Sequence, residues 1–86
     1  MTRMVCWNEV KDFDAWKLVF DSHSDAHRAA GLTLEGLWRD IDDPSEVIFI
    51  FQVSDLEKAR AFASAPAGIE SAHRAGVTDG SIWFVE

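Results

Sequence analysis

The stretch from Glu46 to Val53 constrains the fold more than any other part of this sequence. It reads EVIFIFQV, a nearly unbroken apolar run. Successive side chains of a strand point to opposite faces, so Phe49 and Phe51 point one way. Ile48 and Ile50 then point the other way. A strand that is apolar on both faces needs cover on both faces, which is typical of a sheet between two layers.

The segments around this strand follow the order βαββαβ. The Asp-Asp-Pro-Ser stretch at 42–45 is a strong turn signal, because aspartate closes local turns and proline presets φ. It predicts a hairpin between the second and third strands. The sequence predicts strands at 3–10, 32–41, 46–53 and 81–86, and helices at 12–31 and 54–66, with one or two further helical turns at 68–75.

Capping residues support these helix limits. Asp12 is a plausible N-cap of the first helix, and Ser54 with Glu57 resembles a capping box at the start of the second. Gly31 is a fitting stop for the first helix, and Pro66 ends or bends the second.

Right-handed crossovers place both helices on one face of a four-stranded antiparallel sheet, in spatial order 4-1-3-2. The expected architecture is a ferredoxin-like α+β fold in one domain spanning residues 1–86, since a chain of this length has room for one core. On the second strand, Leu32, Leu34, Gly36 and Trp38 are expected to share one side.

Two helices shield only one face of such a sheet. The last strand repeats the two-faced pattern, with Trp83 and Val85 opposite Ile82 and Phe84. An exposed apolar face of this size is an association surface. The sequence therefore predicts a homodimer, in which a second copy packs sheet to sheet about a two-fold axis.

Charge and cysteine content narrow the partners. The net charge is −7, which argues against nucleic acid and against anionic membranes, since both need a basic face. The single cysteine, Cys6, excludes an intramolecular disulfide and is interpreted as a small hydrophobe. No apolar stretch approaches a membrane span, and no secretion signal is recognisable. A cytoplasmic location is therefore expected.

The element order, the length, the Asp-Asp-Pro hairpin and the two-faced sheet resemble the dimeric α+β barrel superfamily, which includes the antibiotic-biosynthesis-monooxygenase-like small proteins. The resemblance covers nearly the whole chain. It implies a ligand pocket between the helices and the sheet of each subunit. In the monooxygenase-like members, oxygen reacts with an electron-rich aromatic polyketide without a cofactor. This chain has no tyrosine, so no residue in it can take a role that a tyrosine hydroxyl plays in other members.

The first helix carries two histidines on its apolar stripe. His23 and His27 follow Phe13, Trp16 and Phe20 at spacings of three and four. Three interpretations stay open: partly exposed histidines at the polar end of the stripe, an acid or base in a pocket, or a metal site. A haem ligand is a further possibility that the superfamily resemblance suggests. A third metal ligand would have to come from His73, Asp25 or Glu70 through the fold.

Polar and aromatic residues on the strands are the second group of candidates. Asn8 can polarise a carbonyl or phenol oxygen, and Arg39 can stabilise an enolate or phenolate. The alternative for Arg39 is an ion pair with the acidic turn that follows it. The tryptophans are equally explained by core and interface packing.

Two principal functions follow, with a purely structural interaction module as a third. The first is a small cofactor-independent enzyme (a monooxygenase, cyclase or isomerase) acting on an aromatic or polyketide-like molecule. The second is a non-catalytic dimer that binds a hydrophobic ligand or haem. The predicted catalytic residues are His23, His27, Asn8 and Arg39, and no resident metal is assigned. The predicted substrate-binding residues are Trp7, Trp16, Phe20, Trp38, Phe51, His73 and Trp83.

Overall fold

A computed structural model describes all 86 residues of the chain. It contains four strands and four helices, because each of the two helical segments is divided in two. The elements are β1 (Arg3–Val10), α1 (Phe13–Ser22), α2 (Ser24–Ala29), β2 (Leu32–Arg39), β3 (Glu46–Val53), α3 (Leu56–Ser64), α4 (Pro66–Arg74) and β4 (Val77–Val85).

The strands form one antiparallel sheet in the order β2-β3-β1-β4, which confirms the predicted order and the ferredoxin-like topology. The central pair, β1 and β3, places Cys6 opposite Phe49 and Met4 opposite Phe51. The last strand pairs with β1 alone and is therefore an edge of the sheet. It begins at Val77, four residues earlier than predicted.

Local chemistry explains most helix limits. The Asp12 carboxylate accepts hydrogen bonds from the amides of Asp14 and Ala15, as an N-cap does. The second N-cap is Asp55 rather than the predicted Ser54, because the Ser54 hydroxyl donates instead to the carbonyl of Gly31. Gly31 has a positive φ of 76°, a backbone conformation that glycine adopts without strain.

The first helical segment breaks at His23. This residue is both the C-cap of α1 and the N-cap of α2, and its backbone lies outside the helical region. His23 therefore lies at the junction of the two helices, whereas His27 lies within α2. Their ring centroids are 6.4 Å apart.

The core lies between the helices and one face of the sheet, here called the inner face. Met4, Val47, Phe51 and Ala59 are at most 2% exposed. Trp16 extends this core from α1, with its ring stacked 4.9 Å from that of Phe20. Burial of side chains of this size is the main favourable term in the folding of so small a domain.

A β-bulge in β2 changes which face its residues occupy. Leu34 pairs with Phe51 while Gly36 pairs with Ile50, so Glu35 is an extra residue between them. The expectation that all four residues from Leu32 to Trp38 share a side is therefore wrong. The first two belong to the inner face, whereas Trp38 pairs with Ile48 on the opposite face.

The opposite, outer face of the sheet has no helix over it. Trp38 is 52% exposed, Trp83 51% and Ile48 40%, although all three are large and apolar. Val5 and Trp7 of β1 complete this outer-face patch. None of the helices has the length and apolarity that a membrane span requires.

Candidate functional site

A cavity of about 520 Å³ lies between the helices and the inner face of the sheet. Its apolar walls come from the sheet and from α1, α3 and α4. The volume suits a small organic ligand, for which pockets of about 300–1,000 Å³ are usual. The polar residues in its lining are Asn8, His23, His27, Ser71, His73, Thr78, Asp79 and Ser81.

Seven of the eleven predicted site residues line this cavity. Strand alternation and the helix stripe explain why they converge, since both place side chains toward the space between helices and sheet. These seven are Asn8, Trp16, Phe20, His23, His27, Phe51 and His73.

Three predicted substrate-binding residues, Trp7, Trp38 and Trp83, are not in the lining. Trp7 adjoins Asn8 on β1, so the two side chains point to opposite faces. Trp83 pairs with Val5 on the same outer face. Trp38 reaches that face because of the bulge at Glu35, and no sequence pattern signals that bulge.

Arg39 is the fourth residue outside the lining. It lies on the inner side of β2, but its guanidinium sits 4.2 Å from the centre of the Phe13 ring. Its Nε donates a hydrogen bond of 3.1 Å to the carbonyl of Pro44. Arg39 is therefore held at the hairpin end of the molecule by a cation–π contact. It forms no ion pair with the acidic turn, and its predicted oxyanion role stays a prediction.

His27 is packed among aromatic rings. The centroids of Phe51, Phe20 and Phe62 lie 5.0, 5.1 and 5.5 Å from that of the imidazole. Burial lowers the pKa of His27, and the neighbouring His23 lowers it further. The neutral imidazole that results at neutral pH can accept a proton.

His23 makes a polar contact across the cavity. Its Nε2 lies 3.4 Å from the hydroxyl oxygen of Ser71 on α4. This contact joins the break in the first helical segment to the last helix. Ser71 carries no sequence signal, because its proximity to His23 arises from residues 48 positions apart along the chain.

Asn8 has a different environment from the histidines. Its side chain lies over the inner face between Cys6 and Val10, and it makes no hydrogen bond within the chain. A polar amide without an internal partner beside an apolar cavity is free to bind a polar ligand atom. The Cys6 thiol is unsuited to such a role, because burial raises its pKa to about 12.

The lining contains no lysine or arginine, and Asp79 is its only acid. Nothing in it matches the clustered cations that hold phosphates or carboxylates. A neutral or weakly acidic ligand suits this lining better than a polyanion.

A metal ion and haem are the two groups that the sequence leaves open at the histidines. No group of three histidine, cysteine, aspartate or glutamate side chains is gathered closely enough to hold a metal ion. Haem requires open space around the ligating ring for a porphyrin plane. The three phenylalanine rings around His27 occupy that space. The residues present therefore do not fit haem at His27.

Comparison with solved structures identifies the fold. SnoaB from Streptomyces nogalater, a cofactor-independent oxygenase, matches 99% of this chain and 90% of its own, with a TM-score of 0.74 and 18% identity. A Deinococcus radiodurans protein named as a candidate antibiotic biosynthesis monooxygenase matches 100% and 91%, at 0.69 and 17%. A NIPSNAP domain protein from Burkholderia xenovorans matches 100% and 93%, at 0.68 and 12%. No family model and no curated protein sequence matches the chain.

The chain therefore has a ferredoxin-like α+β fold, which it shares with these solved structures. Among the structures of this fold are the antibiotic-biosynthesis-monooxygenase-like proteins, as the sequence resemblance predicted. Identities below 20% establish the fold, and the activity has to be argued from the site.

Proposed function

We propose that this protein is a small-molecule monooxygenase that works without a cofactor on a planar aromatic substrate. The observation that carries the proposal is one apolar cavity lined both by a neutral histidine, His27, and by the unpaired amide of Asn8. A base and an oxyanion partner in an apolar enclosure are what such chemistry needs from a protein. The shared fold with SnoaB, a cofactor-independent oxygenase, supports it.

The substrate supplies the electrons in this reaction. His27 removes a proton from an acidic C–H or phenol of the aromatic molecule, and the Asn8 amide donates a hydrogen bond to the oxygen that becomes negative. The anion transfers electrons to dioxygen and forms a hydroperoxide. Loss of water leaves a carbonyl, so that CH₂ + O₂ gives C=O + H₂O. One oxygen atom enters the product, the other leaves as water, and the substrate loses four electrons.

The aromatic lining fits this role for physical reasons. Trp16, Phe20 and Phe51 provide flat apolar surfaces against which an aromatic ring packs. A bound aromatic ring displaces water from these surfaces, which strengthens the hydrogen bond to the developing anion. The absence of cations from the lining leaves the substrate anion reactive toward oxygen.

The functional unit we propose is a homodimer. The outer-face patch of Trp38, Ile48 and Trp83 is apolar, half-exposed and carried by strands rather than mobile loops. A second copy offers a matching patch, which a two-fold axis brings face to face. Sedimentation at micromolar concentration should give twice the subunit mass of 9.6 kDa.

Oxygen uptake with an anthrone tests the activity. 1,8-Dihydroxyanthrone is a suitable probe, because its central CH₂ is acidic and its oxidation to the quinone is visible by absorbance. We expect the protein to accelerate quinone formation in air, with one atom of ¹⁸O₂ in the product and no effect of chelators. His27→Gln should lower the rate about 100-fold or more, as loss of a general base does. Asn8→Ala should lower it about tenfold or more.

Leu18→Ala is the matched control, since Leu18 is 74% exposed on α1 and outside the cavity. It should retain the full rate. Saturable binding of the anthrone without oxygen uptake would show that the protein binds this ligand but does not oxidise it, which would contradict the proposed activity. A shifted Soret band on titration with haem would contradict the proposal that the cavity binds an aromatic substrate without a cofactor.

A further inference from the structure

Gly80 occupies an unusual position for a glycine. It lies inside the edge strand β4, where glycine lacks a side chain to pack and weakens the strand. Its backbone does not require glycine, because Gly31 and Gly76 are the residues with positive φ. Glycine inside a strand often marks a place where another group approaches closely. The question is therefore what approaches Gly80.

The group that approaches is the side chain of Asn8. Gly80 pairs with Asn8 across β1 and β4, and both line the cavity. A Cβ placed on Gly80 would lie 2.8 Å from the Asn8 Oδ1 and 3.1 Å from the carbonyl oxygen of Trp7. Real Cβ atoms essentially never come within 3.0 Å of another atom, so the Asn8 amide, the freer of the two groups, would have to move.

We propose that Gly80 is a positioning residue for Asn8: the absence of a side chain at Gly80 lets the Asn8 amide take the orientation in which it binds the polar atom of the ligand. The inference rests on the proposed function, which gives Asn8 the oxygen of a phenol or enolate. It extends that function to a residue that touches no reacting atom.

Binding of two matched probes distinguishes positioning from simple blocking. 1-Naphthol carries a phenolic oxygen, whereas naphthalene has the same rings without it, and titration calorimetry measures the binding of both. We expect Gly80→Ala to weaken 1-naphthol about 3- to 10-fold, the worth of one hydrogen bond, and to leave naphthalene unchanged. Equal weakening of both probes would show that the added methyl group only fills space, and would overturn the proposal.

A double-mutant cycle adds a second criterion. In an Asn8→Ala background, Gly80→Ala should change 1-naphthol affinity by less than about twofold, since the amide it displaces is gone. Full additivity of the two substitutions would refute the link between them. Gly68→Ala is the control, because a Cβ on Gly68, also a lining residue, meets nothing closer than 3.7 Å.

NMR of the Asn8 side-chain amide tests the positioning role of Gly80 without any ligand. Gly80→Ala should shift the two NH₂ resonances of Asn8, whereas Gly68→Ala should leave them in place. If those resonances do not move in Gly80→Ala, the proposal fails. A wild-type protein that binds neither naphthol nor anthrone would instead remove the proposed function, and the NMR result would still settle how Gly80 acts on Asn8.

Discussion

The inner and outer faces of the sheet are built from the same strands but differ in their exposure to solvent. On the inner face, Val47 and Phe51 are at most 2% exposed beneath the helices. On the outer face, Trp38 and Trp83 are about half-exposed (52% and 51%). Both faces are apolar in composition. They differ because the helices cover the inner face, whereas no element of the chain covers the outer face. Folding therefore protects one face, and the proposed association protects the other.

The largest expected effect comes from removing, in turn, the tryptophan of α1 that packs on the inner face and a tryptophan of the outer face. Trp16→Ala should reduce the free energy of unfolding by about 3–5 kcal/mol, because Trp16 is 3% exposed and its loss leaves a void. This loss should be the same at every protein concentration. Trp83→Ala should have an effect that grows with concentration, since it acts on association. Urea unfolding over a hundredfold concentration range measures both.

Equal, concentration-independent losses from the two tryptophan substitutions would contradict the distinction between the faces. Such a result would mean that Trp83 contributes to the fold of one subunit as much as Trp16 does.

A charge on the outer face should separate association from folding. Ile48→Glu places a carboxylate in the proposed contact at two symmetric positions, and we expect dimerisation to weaken by about 3 kcal/mol, roughly 100-fold. Sedimentation equilibrium measures the change. Leu18→Glu, on the exposed side of α1, is the control and should leave the oligomeric state unaltered. An Ile48→Glu protein that associates as the wild type does would argue against this interface.

The inner face should also show a characteristic pH dependence. Burial lowers the pKa of His27, so the unfolded chain binds a proton at this residue more readily than the folded chain. Stability should therefore fall as pH drops below about 6.5, the ordinary histidine value, and level off below the lowered pKa of His27. His27→Gln should flatten this slope in urea unfolding, and Leu18→Ala, at an exposed position without a titratable group, should retain it. An unchanged slope in His27→Gln would show that other titratable groups cause the pH dependence.

The smallest expected effect is that of Arg39→Ala. Its contact with the Phe13 ring is worth about 0.5–1 kcal/mol at an exposed site, and no cavity contact is lost. Probe affinity and anthrone turnover should match the wild type. A tenfold loss of turnover with an unchanged melting temperature would instead support the predicted catalytic role of Arg39.

The sequence predicts most of this fold because its signals are local. The two-period pattern of β1 and β3 places their residues on the correct faces, and Asp12 and Gly31 act at the helix ends where they were expected. The second N-cap was misplaced by one residue, since Ser54 and Asp55 are both good caps and a tertiary contact to Gly31 occupies the serine.

The candidate site was predictable only in part. Helix spacing finds the histidine stripe, and strand alternation finds Asn8. Ser71 and Gly80 depend on contacts between distant segments, which no local pattern contains. Trp7, Trp38 and Trp83 lie outside the cavity lining, because residue type indicates a buried or binding role without indicating which face of the sheet carries it.

The bulge at Glu35 has a consequence for how this domain can change over time. Removing that one residue would pass every later side chain of β2 to the opposite side, bringing Trp38 inward and turning Leu37 outward. A single deletion would thus exchange Leu37, which packs against the core, for a tryptophan of the exposed outer-face patch. One such deletion would therefore change the core packing and the exposed outer-face patch together, without the substitution of any amino acid.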